Sequence, residues 1–399
     1  MKVLAVATKT PWPPVDGGRL LLLQTLEGLA AAGAQTTLVA PVDPARDDPA
    51  RTAAALAHCC EPCLVAAAPA GAVTTLARSA GGRGPLSIAR HTLPAVGREV
   101  ARRLAAESFD VVHAEQLQAL PQAAPARGLG VPVVLRAQNV ESDLWAAAAR
   151  WRGGLRGRLL AVEARRLARW EGGAVRRAAA TLALTEEDAA RLTALAGGAG
   201  HVTVVRAPFP AFQTPPATGP RLSGDPAVVV LGSGGWLPNA DSAAWFAAAV
   251  WPAVVRALPG AVLHLFGGPG ASTASVVVHP APADSAAAFA PGAVLAVPLR
   301  LASGVRMKVL EAWARGVPVV ATPAAVAGLG VEDGREALLA ADPPGFARAF
   351  ARLHGDPALA VRLTAAGERA RRERHDPARV TADLLAAYAR AVSTARSSR

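Results

Sequence analysis

Short apolar runs alternate with helical periodicity along most of this chain. Residues 3–7, 37–40, 111–114, 131–135, 181–184 and 202–205 have the length and β-branched content of buried strands, and amphipathic patterns of 3.6-residue period separate most of them. Apolar runs without polar alternation belong to parallel sheets covered on both faces. The pattern breaks at 207–226, where prolines and glycines deny any regular element a continuous backbone. It then restarts, with strands near 227–231, 262–266, 276–279, 294–297 and 317–321. The expected fold class is α/β, with two Rossmann-like doubly wound domains facing across a cleft. The expected boundaries are an N-terminal domain at 1–206, a Pro/Gly-rich hinge at 207–226, a C-terminal domain at 227–376, and a last helix at 377–399 that crosses back onto the first domain.

In such a sheet the strand ends and the following helix starts open on one edge, so polar residues placed there are the candidates for chemistry. The densest set is at 304–322. Gly304 and Val305 follow a buried strand and a turn of small residues, a helix runs to Arg315, and Gly316 stops it. Arg306, Lys308 and Glu311 lie on or beside this helix start, with Lys308 and Glu311 three residues apart on one face, near free backbone N–H groups that favour an anion. A second phosphate-sized turn, Gly232, Ser233, Gly234 and Gly235, follows the strand at 227–231; any tight βα turn favours glycine, so its weight comes from convergence with Lys308. In the N-terminal half, Gly17, Gly18 and Arg19 follow the first strand, and Gln138, Asn139 and Glu141 follow the strand at 131–135. Asn139 or Ser142 can equally serve as a helix cap. His113 is either a base or a hydrogen-bonded strand-end histidine.

Composition narrows the classes. A chain of 399 residues with 52% apolar content can fill two cores. No apolar run reaches the eighteen or so residues of a membrane span, so a cytoplasmic protein is expected. The net charge of +12 comes almost wholly from arginine, with lysine only at positions 2, 9 and 308, and aromatics make up 4%. That combination reads as a solvated, composition-biased surface, and no nucleic-acid partner is expected. The Arg-rich stretch 143–177, bearing Trp145, Trp151 and Trp170, is either a plain surface helix or a face turned to an acceptor or to an anionic membrane. Cys59, Cys60 and Cys63 cluster beside His58 but lack a second ligand pair at finger spacing, so reduced structural thiols are expected and no metal.

The chain resembles, over essentially its whole length, the family 4 glycosyltransferases of the GT-B fold, bacterial polysaccharide and exopolysaccharide enzymes among them. The resemblance rests on VLAVATKTPWPPVDGGRLLLLQTLEGLAAAG, DVVHAEQ, QNVESDLW, LALTEEDAARL, VVVLGSGGWLPNADSAAWF and, most specifically, SGVRMKVLEAWARGVPVVATPAAVAGL. It implies that Glu311 holds the ribose of a nucleotide sugar, that Arg306 and Lys308 steady its pyrophosphate, and that the Gly17–Gly18 loop, ahead of the first helix, approaches donor phosphate or acceptor. Two positions depart from the pattern: Ser303 stands where the first glutamate of the family pair would be, and Gln138 where histidine is common.

The activity implied is transfer of a sugar, with retention, from a nucleotide-sugar donor to a sugar or lipid-linked acceptor, without cofactor or metal. No acidic pair suited to a covalent sugar intermediate is evident in the sequence. Stabilisation of the leaving diphosphate therefore falls to Arg306, Lys308 and backbone N–H groups. Three other readings stand beside this one: a phosphorylase or epimerase on the same architecture, a noncatalytic nucleotide-sugar sensor, and a nucleic-acid binder driven by charge.

Overall fold

Two parallel sheets organise the chain. The computed structural model describes residues 1–82, 84–211, 221–232, 237–268, 270–282, 285–300 and 304–397. The first sheet holds β1 (Lys2–Val6), β2 (Gln35–Val42), β3 (Glu61–Ala66), β4 (Val111–Glu115), β5 (Val133–Ala137), β6 (Ala180–Ala183) and β7 (Val202–Val204) in the order β3-β2-β1-β4-β5-β6-β7. The second holds β8 (Ala227–Leu231), β9 (Val262–Phe266), β10 (Val276–His279), β11 (Ala293–Val297), β12 (Val319–Ala321) and β13 (Leu338–Leu339) in the order β10-β9-β8-β11-β12-β13. Both are doubly wound, and their order reverses between β1 and β4 and between β8 and β11. At such a switch point the crossover helices diverge to opposite faces and leave the carboxyl ends of the two strands uncovered.

Two strands were absent from the sequence pattern. Both are edges. β3 begins Glu61-Pro62, and proline is tolerated there because an edge strand has one unpaired side. β13 is two residues long, too short to leave a periodicity.

The chain divides into two units: Met1–Pro14, Gly18–Pro208 and Pro377–Arg399 form one, and Val15–Gly17 and Phe209–Asp376 the other. Of the stretch read as a hinge, 212–220 lie outside the described residues. Phe209 within it is fully buried, its N–H donating to His375 O at 2.8 Å and its carbonyl accepting from Arg371 Nη1 at 2.6 Å.

Six helices matter below: α1 (Gly17–Ala31), α2 (Glu141–Arg152), α3 (Gly154–Arg177), α4 (Met307–Ala314), α5 (Pro357–His375) and α6 (Pro377–Ser397). Apolar residues of α6, among them Val380 and Leu384, pack against Val3, Val111 and Leu182 of the first sheet, and Tyr388 goes in with them, fully buried. A phenol in such a place needs a partner for its hydroxyl. Tyr388 Oη lies 2.7 Å from His113 Nδ1, while His113 Nε2 lies 2.9 Å from Glu115 Oε2. Burial lowers the His113 pKa against the pull of Glu115, which leaves a neutral ring that donates from Nε2 to the carboxylate and accepts at Nδ1 from Tyr388. Of the two sequence readings of His113, this is the hydrogen-bonded one. Tyr388→Phe keeps the ring packing but strands a buried acceptor, so urea unfolding should show a loss of about 1–3 kcal/mol. A change within about 0.3 kcal/mol of zero would show that this bond contributes nothing net.

Candidate functional site

In the C-terminal unit the site forms at the switch point of β8 and β11. Gly304 takes φ 71°, a left-handed backbone that only glycine adopts without strain, and turns the chain into α4. Val305 and Arg306 are buried, and Arg306 occupies the cap position of α4. Lys308, one residue into the helix, donates from Nζ to the carbonyl of Leu231, the last residue of β8. That bond brings the ammonium to the carboxyl end of β8, next in the chain to Gly232, whose own N–H is held by Phe266 O at 3.1 Å. Loss of hydration, with the positive Arg306 nearby, pulls Lys308 down to about 7. Glu311, buried on the next turn, accepts from Arg315 Nε at 2.9 Å and from Ser285 Oγ. Gly234, Gly235 and Ser303 lie outside the described residues.

In the N-terminal unit the corresponding switch point lies between β1 and β4. Gly17 and Gly18 are not a loop ahead of α1 but its first two residues, and neither has a positive φ. Their value at a helix start is the lack of side chains over N–H groups that have no intrahelical acceptor. Arg19 reaches back to Thr10 Oγ1 at 3.3 Å. Gln138 is buried at the end of β5, its Nε2 donating to Glu115 Oε1 at 2.8 Å and to Gly18 O at 3.4 Å, and its Oε1 accepting from Gln116 Nε2 at 2.7 Å. Gln116 is the one non-glycine residue of positive φ (71°) among the described residues.

The expected cap of α2 is different. Its N-cap residue is Val140, and the free N–H groups of Glu141 and Ser142 donate instead to the Glu171 carboxylate from α3, at 2.9 and 3.2 Å, with Ser142 Oγ adding a third bond at 2.6 Å. Burial pushes Glu171 up to about 7, against those bonds. It also raises the Glu141 carboxyl, against hydrogen bonds from Gln118 and Asn139.

The residue that sequence reasoning missed is Glu115. It ends β4, the central strand of the switch, and three side chains converge on it: His113, Arg136 at 2.8 Å and Gln138; Arg136 Nη2 also donates to Thr25 Oγ1 at 2.6 Å. The available signal was a lone carboxylate after an apolar strand in DVVHAEQ. Cys63 sits in β3, Cys59 is buried, His58 faces Glu27 and Ala55 O, and no group of three metal-binding side chains converges among the described residues. No helix among the described residues is long and apolar enough to cross a membrane.

Comparisons with known proteins follow this division. Residues 16–208 match the family model "Glycosyl transferase 4-like domain", and residues 225–356 match "Glycosyl transferases group 1". No curated protein matches the sequence. Among solved structures, sucrose-phosphate synthase from Thermosynechococcus elongatus is similar at TM-score 0.71 and 16% identity, covering 98% of this chain and 99% of that one. HepE of Anabaena in complex with UDP and glucose gives TM-score 0.64 at 16% identity, with 97% and 98% covered. A glycosyltransferase from Rickettsia africae gives 0.65 at 9% identity, with 98% of each chain covered. At these identities the likeness speaks for the fold, two parallel-sheet α/β domains of the GT-B kind.

Proposed function

The chain belongs to the glycosyltransferases whose two domains those family models describe, and from that membership we propose that it transfers a hexose, with retention, from a nucleotide-sugar donor to an acceptor hydroxyl. The acceptor is a sugar or a lipid-linked saccharide met at an anionic membrane surface, in the building of envelope or exopolysaccharide. The observation that carries the donor side is the bond from Lys308 to Leu231 O, which brings a cation and a helix start to the carboxyl end of β8 at a switch point. HepE, of the same fold, has been solved with UDP and with UDP-glucose.

In this reading Arg306, Lys308 and the backbone N–H groups of Gly304 and Val305 grip the diphosphate and stabilise it as it leaves, the work a metal performs in other transferases, and Gly232, with its N–H held by Phe266 O, contributes by leaving no side chain in the way. Glu311 holds the ribose, exchanging the Ser285 contact for a sugar hydroxyl. Gly17, Gly18, Arg19, Gln138, Asn139 and Glu141 serve the acceptor side. One observation favours a noncatalytic sensor as the second reading: the Gln138 amide is committed to Glu115, Gln116 and Gly18 and offers no group that titrates. Donor hydrolysis with and without acceptor extracts separates the two, since a sensor binds without turnover.

A panel of UDP-, GDP- and ADP-sugars tests the donor. At a hundredfold excess over Kd, a ligand selective for the folded state adds about 2.7 kcal/mol, a rise of about 5–11 °C for a unit of this size. At least one member should give that shift, and Glu311→Ala should remove it. No shift from any member, or an undiminished shift in the variant, defeats the assignment.

A further inference from the structure

We propose that the outer face of the α2–α3 hairpin docks on an anionic lipid bilayer. The hairpin turns at Gly153 and Gly154, with φ 59° and 55°, and neither glycine has anything within 4 Å of where a Cβ would stand. Beyond the turn, Leu155, Leu159 and Val162 are 74%, 63% and 52% exposed, and Trp151, just before it, is 40% exposed. At 100° per residue the three aliphatic residues of α3 fall within a sector of about 60°. Arg158, Arg165 and Arg169, all exposed, fill the adjoining sector of about 40° on the same side. Arg152, also exposed, stacks over the Trp151 ring at 4.6 Å.

The carboxylates of α3 face the other way. Glu163 and Glu171 are buried, Glu163 accepting from Arg166 at 2.8 Å and Glu171 capping α2. Among the described residues, none of the four outward arginines just named makes an ion pair with an acidic side chain. An apolar stripe edged by unneutralised arginines has two complementary demands: hydrocarbon for the leucines and fixed anions for the guanidinium groups. The interface of an anionic bilayer meets both, with the arginine stems lying along the apolar region and their heads at the phosphates. Nucleic acid would satisfy the charges and leave the leucines in water. A second copy of the same cationic face would bury the leucines and oppose the charges.

The inference deepens the membrane part of the proposed function and rests on that part alone. No glycosyl donor enters its test, so its failure leaves the donor reading standing, and the reverse holds. The full chain is floated with vesicles of phosphatidylcholine, alone or mixed with phosphatidylglycerol. Binding should require phosphatidylglycerol and weaken with salt. Leu155→Gln with Leu159→Gln, and separately Arg158→Glu with Arg165→Glu, should each lower the partition coefficient at least about tenfold. These side chains are exposed, so circular dichroism and melting should match the parent protein, and the pairs serve as independent checks should one fail to fold. Four outcomes overturn the proposal: no vesicle binding, equal binding to phosphatidylcholine alone, variants that bind like the parent, or salt-sensitive binding to single-stranded RNA in place of vesicles. Dimerisation lost in the leucine variant, without vesicle binding by the parent, overturns it in favour of a second copy.

Discussion

Glu115→Gln should destabilise the N-terminal unit by about 3–5 kcal/mol. Glu115 is 3% exposed and Arg136 is fully buried, and the pair is joined through Arg136 Nη2 at 2.8 Å and Nε at 3.1 Å. A carboxylate there accepts from Arg136, His113 and Gln138 together. An amide keeps one acceptor oxygen and turns an NH2 group toward donors, so the guanidinium is left buried with neither its counter-charge nor its full set of acceptors. The loss should depend on pH in a defined sense. Burial by itself would raise the Glu115 carboxyl, but Arg136 and His113 outweigh it and hold the group well below the ordinary carboxylate value of 4.5. A depressed pKa contributes stability that is present above the unfolded value and lost as pH falls toward the folded one. The difference between parent and variant should therefore be full at neutral pH and shrink in acid. Urea unfolding followed by hydrogen exchange of β4 and β5 amides reports on this unit separately from the other. A loss below about 1 kcal/mol at neutral pH would mean that the pair sits in a more polar environment than its burial implies.

The same cluster marks the limit of what the sequence discloses. Strands buried on both faces, β1, β4, β5 and β8 among them, are visible because most of their positions are apolar, and the helix stop at Gly316 is visible because its φ of 68° calls for glycine. What cannot be read is any partnership between residues far apart in the chain. Tyr388 and His113 are separated by 275 positions, and Arg136 and Thr25 by 111, so neither bond leaves a local pattern. The α2 cap differs for the same reason: local side chains such as Ser142 have the right chemistry, but Glu171 reaches the free N–H groups from the next helix with both carboxyl oxygens and takes the Ser142 hydroxyl as well. The paired glycines of α1 were read as a loop because glycine is a poor helix former, a penalty that matters least in a first turn whose N–H groups have no intrahelical bond to lose. The helix start that carries Lys308 was legible locally. Gly304 and the helix start lie in one stretch, and only the carbonyl partner of Lys308, Leu231, is distant.

Lys308→Ala should weaken donor binding by about 1.5–3 kcal/mol, roughly ten- to a hundredfold, the range for a hydrogen bond to a charged group. The sharper test is pH. Lys308 is held at about 7 in the free protein, so half its molecules lack the charge near neutrality. A nucleotide sugar has a diphosphate diester with no ionisation in this range, and a bound dianion stabilises the ammonium, so binding above the free-state pKa takes up a proton. Parent affinity should be level below pH 7 and fall by up to about tenfold per pH unit above it, until the raised pKa of the complex is reached. Lys308→Ala should show a flat profile at the weaker level. Lys308→Arg should also be flat, because a guanidinium keeps its charge throughout, and should retain more affinity than alanine. Titration calorimetry in buffers of different ionisation enthalpy counts the proton directly. A parent profile that stays level from pH 6 to about 9, with no proton uptake, would place the Lys308 ammonium away from the diphosphate and leave Arg306 and the helix start to hold it.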